Sequence, residues 1–237
     1  LYKSFSLNDI INKLRSQSQD PINFTFKSMD NIPPLLGMAA QKLELDSIEL
    51  MHYLDSINLS LDSLYFLLIP NTYEMFWNVS TKEFIDRIYF EYNSFWNSDR
   101  LQSARILNLS KNEVFVLASI LDKEASHFDE MPRIAGLYLN RLKQSWFLAA
   151  DPTVIYAYKK VFNLPIRRVR NKHINMTRSS PFNTYYNKGL PPFPICVPSF
   201  QSLNAVLNPE EHKYMYMCAR PDNSEYHNFA KNYFQHQ

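Results

Sequence analysis

Glycine is nearly absent from this chain. Gly37, Gly136 and Gly189 are the only three in 237 residues, and no two share a motif. A dinucleotide-binding turn or a P-loop needs several closely spaced glycines, because only a residue without Cβ lets backbone N–H groups close around a phosphate. Both folds are excluded, and any Gly-built phosphate cradle with them. The rest of the composition is that of a globular chain: 46% hydrophobic and 20% charged residues, with 17 Phe and 15 Tyr. That length and apolar content support one sizeable domain, or one with a small appendage.

The net charge of +2 is too balanced for a nucleic-acid binder, which carries a strong basic excess. The local run Arg167, Arg168, Arg170 and Lys172 reads as a solvated face or loop, with a polyanion site as the alternative. Cys196 and Cys218 lie 22 residues apart with no zinc-type spacing around them; free thiols and one disulfide both stay open. The longest apolar stretch, Leu64 to Ile69, is too short to span a bilayer. The chain opens on Leu1-Tyr2 without an initiator Met or a signal-peptide pattern, as a fragment of a longer protein would.

Helix signals recur along the chain. Ser6 precedes Leu7, Ile10, Ile11 and Leu14 at helical spacing, and Ile22, Phe24 and Phe26 alternate as a short strand. Residues 32–54 read as two helices, the second opened by Asp46 with Glu49. Ser80 with Glu83 and Ser110 with Glu113 are further capping boxes. The first opens a helix bearing Phe84, Ile88, Tyr92, Phe95 and Trp96; the second opens one from Lys111 to about Phe128. A helix follows Pro132, with Ile134, Leu137, Tyr138 and Leu142 inward. Asp151 with Pro152 reads as a cap with Pro at the first helical position, leading through Tyr158. Residues 171–198, rich in Pro and aromatics, read as a long ordered loop, of the kind that usually carries function. Ser199 caps a helix to Leu207, and Lys213–Ala219 pairs with Tyr226–Phe229 as strands. The expected class is α+β.

One residue breaks its own pattern. Leu117, Ile120, Leu121, Glu124 and Phe128 share a helix face, and that face is apolar. A glutamate there is either paired or functional, because an isolated buried carboxylate is costly. Desolvation would raise its pKa and keep it protonated near neutrality, as a proton donor requires. A structural ion pair with Arg133 or Arg141 is the alternative. Three further groups carry polar chemistry. Asp151-Pro152-Thr153 is a site or a plain helix start. Asn183, Thr184 and Tyr185 offer sugar-type hydrogen bonds and a stacking face, or simple turn chemistry. His227 is a catalyst or a satisfied strand residue.

The run Leu117-Ala118-Ser119-Ile120-Leu121-Asp122-Lys123-Glu124-Ala125 resembles the L-A-S-I-[IV]-E-K-E-[TA] segment of the MltG/YceG-like family of bacterial endolytic murein transglycosylases. The resemblance continues through Pro70-Asn71-Thr72-Tyr73, Asn140-Arg141-Leu142, Asp151-Pro152-Thr153-Val154-Ile155-Tyr156, Ser180 to Tyr185, Gly189-Leu190-Pro191-Pro192 and Tyr226-His227-Asn228-Phe229. It implies that Glu124 is the catalytic acid and base, and that Asn140, Asp151, Thr153, Asn183, Thr184, Tyr185 and His227 bind substrate. It also implies a catalytic domain over residues 29–237, with residues 1–28 the tail of a LysM-like module. A single inner-membrane helix upstream would leave the catalytic domain facing the periplasm. Two positions depart from the pattern: Ala149 stands where the family has Gln, and Phe193 where it has Gly.

The reaction the resemblance implies is cleavage of the β-1,4 bond between N-acetylmuramic acid and N-acetylglucosamine in peptidoglycan, leaving a 1,6-anhydro end and limiting nascent strands. One carboxyl group suffices, because the attacking C6 hydroxyl is already tethered to the reacting sugar. Neither metal nor cofactor is called for, and penicillin-binding synthases are the implied partners. Two alternatives belong to other classes. A non-catalytic LysM-type binding module would lack Glu124. A pyridoxal-phosphate-dependent aminodeoxychorismate lyase would need a Schiff-base lysine and a phosphate cradle; Lys123 lies off the apolar face.

Overall fold

The computed structural model describes residues 6–16 and 19–236. Leu1-Tyr2 and the side chain of Leu14, which entered the reading of the first helix, lie outside the described residues. The chain runs α1 (Leu7–Ser16), β1 (Ile22–Thr25), α2 (Pro33–Lys42), α3 (Ser47–Ser56), α4 (Leu61–Leu64), β2 (Thr72–Met75), α5 (Thr81–Phe95) and α6 (Ser98–Ile106). It continues through α7 (Lys111–Glu124), α8 (Met131–Lys143), α9 (Asp151–Phe162), α10 (Asn171–Met176), α11 (Phe200–Leu207), β3 (Tyr216–Ala219), β4 (His227–Ala230) and α12 (Tyr233–His236). Mixed helices with two small antiparallel sheets are the expected α+β class.

Two hydrophobic cores organise these elements. In the first, β1 pairs antiparallel with β2, Phe24 opposite Tyr73. Phe24 and Phe26 pack with Leu35, Leu50, Tyr73 and Phe84, and the rings meet edge-on: Phe24 to Phe84 at 5.7 Å and Phe26 to Tyr73 at 5.4 Å. The expected division after residue 28 falls between Phe26 and Ile32, which share this core. The strand β1 is visible in the sequence but its partner β2 is not, because Thr25 and Thr72 pair across 47 positions and leave no local signal. α5 belongs to both cores. Phe84, Ile85 and Ile88 near its start enter the first, while Phe95 at its end, with Trp96 after it, enters the second.

α7 is the axis of the second core. Every residue from Val114 to Leu121 is buried, a pattern that marks a helix surrounded on all sides. α8 and α11 pack against it. Both capping boxes form: Ser80 Oγ accepts the Glu83 N–H and Ser110 Oγ the Glu113 N–H, each glutamate returning to its cap. Ser199 caps α11 through the Ser202 N–H, and β3 pairs with β4, both as expected.

Several boundaries differ from expectation, among them α9, which runs on to Phe162, and β3, which starts only at Tyr216. α7 ends at Glu124, not near Phe128, and Ala125 is extended. Phe128 is 63% exposed. The turn after α7 is held by the β3–β4 hairpin instead of by helix continuation. His127 stacks on Tyr226 at 3.9 Å, Asp129 accepts the Tyr226 hydroxyl, and Glu130 bonds His227. The segment read as loop from residue 171 begins with the helix α10. The cap of α9 is Ala150, with Asp151 already inside the first turn, so the Asp151 carboxylate is free for another role.

Candidate active site

Glu124 ends α7, half-buried, and its Oε2 atom is buried with no hydrogen-bond partner among the described residues. The ion-pair alternative is not realised. Arg133 pairs with Glu210 at 3.0 Å. Arg141 spends its guanidinium on backbone, donating from Nε to Met215 O at 2.9 Å and from an Nη to Leu148 O. Burial, and then repulsion by the nearby Asp151 carboxylate, push the Glu124 pKa up to about 7; the Arg141 charge and the Tyr138 hydroxyl oppose that rise without reversing it. Its place at the carboxyl end of a helix acts in the same direction as the burial. The Tyr138 hydroxyl is itself buried without a hydrogen-bond partner of ordinary geometry. It lies near enough to favour the ionised carboxylate but does not lock it.

Asp151 reaches this carboxyl because the start of α9 is tied to the 180s loop. Thr184 Oγ1 accepts the Ala150 N–H at 3.0 Å and lies 2.8 Å from Thr153 Oγ1, which donates to Ala150 O at 2.7 Å. The Ala149 N–H donates to Thr184 O at 3.1 Å, with Ala149 in the left-handed region at φ 47°. Asn183 holds the loop from within: its amide donates to Ile174 O and Thr177 Oγ1, and its Oδ1 accepts the Tyr185 N–H. Tyr185 then donates its hydroxyl to Asp151 Oδ1 at 2.7 Å. Burial pushes the Tyr185 and Tyr138 phenols upward in pKa, so both keep their protons at neutral pH.

The sequence-predicted site residues thus divide. Glu124, Asp151 and Tyr185 come together. Thr153, Asn183 and Thr184 are buried, at 0%, 0% and 1% exposure, with their polar atoms bonded inside the protein. Their geometry is that of a scaffold holding Asp151 and Tyr185 in place. Asn140 donates to His212 O and Tyr214 O, pinning the segment that lies against Gly136, where a Cβ would collide with Glu210 O. His227 is bonded within the protein: its N–H and Nδ1 both bond the Glu130 carboxylate, at 2.9 and 2.7 Å.

Sequence reading missed the roles of Tyr138, Arg141 and Asp122. Tyr138 was counted as core, although a buried phenol with no local acceptor signals a polar neighbour. Asp122 Oδ2 accepts the Ser28 hydroxyl at 2.5 Å and its Oδ1 the Ser199 N–H at 3.0 Å. Lys123 pairs with Asp30 at 2.7 Å. These two residues tie the end of α7 to the β1 side of the molecule, and a lysine held charged in this way is poorly suited to a Schiff base. Cys196 is buried and Cys218 exposed, both as free thiols. Phe193 packs on Phe66 with ring centroids 5.8 Å apart.

Two cavities each include a chain neighbour of Glu124. One of about 710 Å³ lies between Lys27, Asn71, Asp122, Ala125, Phe128 and Gln201. The other, about 440 Å³, lies between Asn31, Lys123, Pro152, Tyr156 and Lys159.

The YceG-like family matches residues 1–237. Over 112 residues, 47% of this chain, it is 34% identical to an endolytic murein transglycosylase of Bacillus subtilis, covering 29% of that protein. Identity to an endolytic murein transglycosylase of Streptococcus pneumoniae is 30% over the same length, covering 20% of that protein. The matched stretch thus spans less than a third of these curated relatives. A crystal structure of a YceG-like protein from Listeria monocytogenes superposes on 100% of this chain and 81% of its own, with a TM-score of 0.66 at 22% identity; the fold is shared.

Proposed function

This chain belongs to the YceG-like family, and from that premise we propose that it is a peptidoglycan lytic transglycosylase with Glu124 as its single acid and base. The observation that carries the reading is a carboxyl group whose Oε2 is buried, with no ion pair among the described residues and with a pKa up to about 7. Such a group is protonated at the start of the reaction. It donates its proton to the leaving glycosidic oxygen, and as a carboxylate it accepts the proton of the muramic C6 hydroxyl that attacks C1. The tethered hydroxyl replaces water, with an effective concentration on the order of 10⁵ M or more. Asp151, fixed by the Tyr185 hydroxyl, faces the positive charge that develops on the sugar ring and holds Glu124 protonated between turnovers.

The segment from β1 through α2, α3 and α4 to β2 holds the first core and runs from the expected LysM-like tail, residues 1–28, into the start of the expected catalytic domain, residues 29–237. We assign glycan holding to that whole unit, including the tail expected to be LysM-like. No helix among the described residues is long and apolar enough to cross a membrane; the single-pass inner-membrane anchor, the periplasmic orientation and the synthase partners are proposals that rest on the family resemblance.

One observation favours a second reading. Asp151 lies close enough to Glu124 to raise its pKa, and two neighbouring carboxyls are also the equipment of a glycoside hydrolase. Digestion of purified sacculi in ¹⁸O-labelled water separates the two by mass spectrometry. Anhydromuramic ends without label are expected. Labelled reducing ends would overturn the transglycosylase reading and make Asp151 the second carboxylate.

A further inference from the structure

The two ends of α9 differ in chemistry. Its first residue, Asp151, belongs to the carboxyl cluster. Its last turn carries Val161 and Phe162, 58% and 36% exposed, and Leu164 just beyond is 57% exposed. Asn163 in the left-handed conformation stops the helix, and exposed Arg167, Arg168 and Arg170 follow directly. α10 packs against α9 and adds exposed Lys172 and Met176, the latter 47% exposed.

The charge of this part of the chain is one-sided. From residue 152 to residue 209 there is no Asp or Glu, against eight Lys or Arg. The rest of the chain holds all 23 acidic residues against 17 Lys or Arg. None of those eight cations forms an ion pair among the described residues. A solvated basic face would not need Val161, Phe162 and Leu164 in the open directly before its arginines. A polyanion such as nucleic acid or an acidic peptide would engage the cations and leave Val161, Phe162 and Leu164 in water.

We propose that the Val161–Arg170 segment with the adjoining face of α10 docks on an anionic lipid bilayer. The arginines and Lys172 take headgroup phosphates, while Val161, Phe162 and Leu164 enter the boundary between headgroups and acyl chains. α9 then stands between the bilayer and the carboxyl cluster, setting Asp151 about 16 Å of helix away from the lipid-facing end. The binding does not depend on which reaction the cluster performs.

The test uses the full chain with phosphatidylcholine vesicles and with vesicles containing phosphatidylglycerol. Sedimentation with the anionic vesicles alone is expected. Each basic residue at such a surface contributes roughly a fivefold preference, so Arg167→Glu with Arg168→Glu should cut the bound fraction by more than tenfold. Leu164→Trp should give indole emission that shifts to the blue on anionic vesicles. Arg105→Glu with Ile106→Asp, an exposed pair on α6, should change neither result. Equal binding to both lipids, or a full response from the α6 pair, would overturn the proposal. So would unshifted emission from the Leu164→Trp variant, or displacement from vesicles by soluble poly-glutamate with no blue shift, which would assign the surface to an acidic polymer.

Discussion

Two carboxylates six residues apart in sequence bound the turn between α7 and α8, and they have opposite surroundings. Glu130 is 4% exposed and both of its oxygens are bonded, to the His227 N–H and to His227 Nδ1. Glu124 is half-buried at the end of α7, and its buried Oε2 has no hydrogen-bond partner among the described residues. A buried carboxylate with its bonds made is a structural clamp, here joining β4 to the start of α8. A buried carboxyl left unpaired stores an electrostatic cost that the fold bears only where the proton has work to do. Burial alone does not separate the two; bonding does.

The most severe way to break this comparison is to neutralise each residue. Glu124→Gln should lower the rate of muropeptide release from sacculi by about 10²–10⁴-fold or more, with circular dichroism unchanged. Retained activity would make Glu124 a packing residue and end the distinction.

Protonation gives the next largest effect. An ordinary glutamate titrates near 4.5 and Glu124 is raised to about 7, so the folded state prefers the protonated form. Its contribution to stability is complete below the unfolded pKa, declines as pH rises toward about 7, and is gone above it. The Gln variant has no such loss. Its stability advantage over the wild type should therefore grow between pH 4.5 and pH 8, to about 3 kcal/mol. Urea unfolding of both proteins across that range measures it, and parallel curves would contradict the unpaired buried carboxyl. Over the same range the wild-type kcat/KM should fall as pH passes about 7, because the acid form starts the reaction.

Glu130→Ala should show the opposite profile. It removes two hydrogen bonds and leaves the His227 donors in a partly buried site, at a cost of about 1–3 kcal/mol. Activity per folded molecule should stay within a few-fold, read below the new unfolding midpoint. A loss as large as that of Glu124→Gln would move Glu130 and His227 into the chemistry.

Tyr138→Phe is the finest probe. The hydroxyl favours ionised Glu124 yet has no satisfied bond of its own, so its removal should leave stability unchanged or slightly higher. The alkaline limb of the pH–rate profile should move upward by a fraction of a unit, because one influence that lowers the Glu124 pKa is gone. A large drop in stability would mean that the phenol is bonded in solution, and would narrow the contrast with Glu130.

The candidate site was legible where the signal lay within a few residues. Glu124 stood out because a carboxylate interrupted an apolar face. Asp151 and Tyr185 drew attention as separate motifs but carried no sign of their mutual hydrogen bond. The family resemblance implies substrate contacts for Thr153, Asn183 and Thr184, and their residue types allow them. In the fold, Thr153 and Thr184 bond each other and the Ala150 backbone, while Asn183 bonds Thr177 and the backbone of Ile174 and Tyr185. Their side-chain chemistry suits a sugar and a buried loop equally well, so type could not decide. His227 stands between two readings in the sequence, and its partner Glu130 lies 97 positions away, beyond any local pattern.

By itself the amino-acid sequence determined the features whose energies are local. It stated the helix starts at Ser80, Ser110 and Ser199, whose hydroxyls meet N–H groups three positions on. The hairpin of β3 and β4 and the exclusion of Gly-built phosphate sites were equally local. Only the tertiary structure decided where α7 stops, since the hairpin's hold on His127, Asp129 and Glu130 outweighs the apolar period that pointed on to Phe128. It alone decided that α5 serves two cores, and that Arg141 turns to backbone carbonyls and leaves Glu124 unpaired. Those outcomes depend on groups 74 or 97 residues apart, whose approach costs chain entropy that no local pattern records and that only the packed core repays.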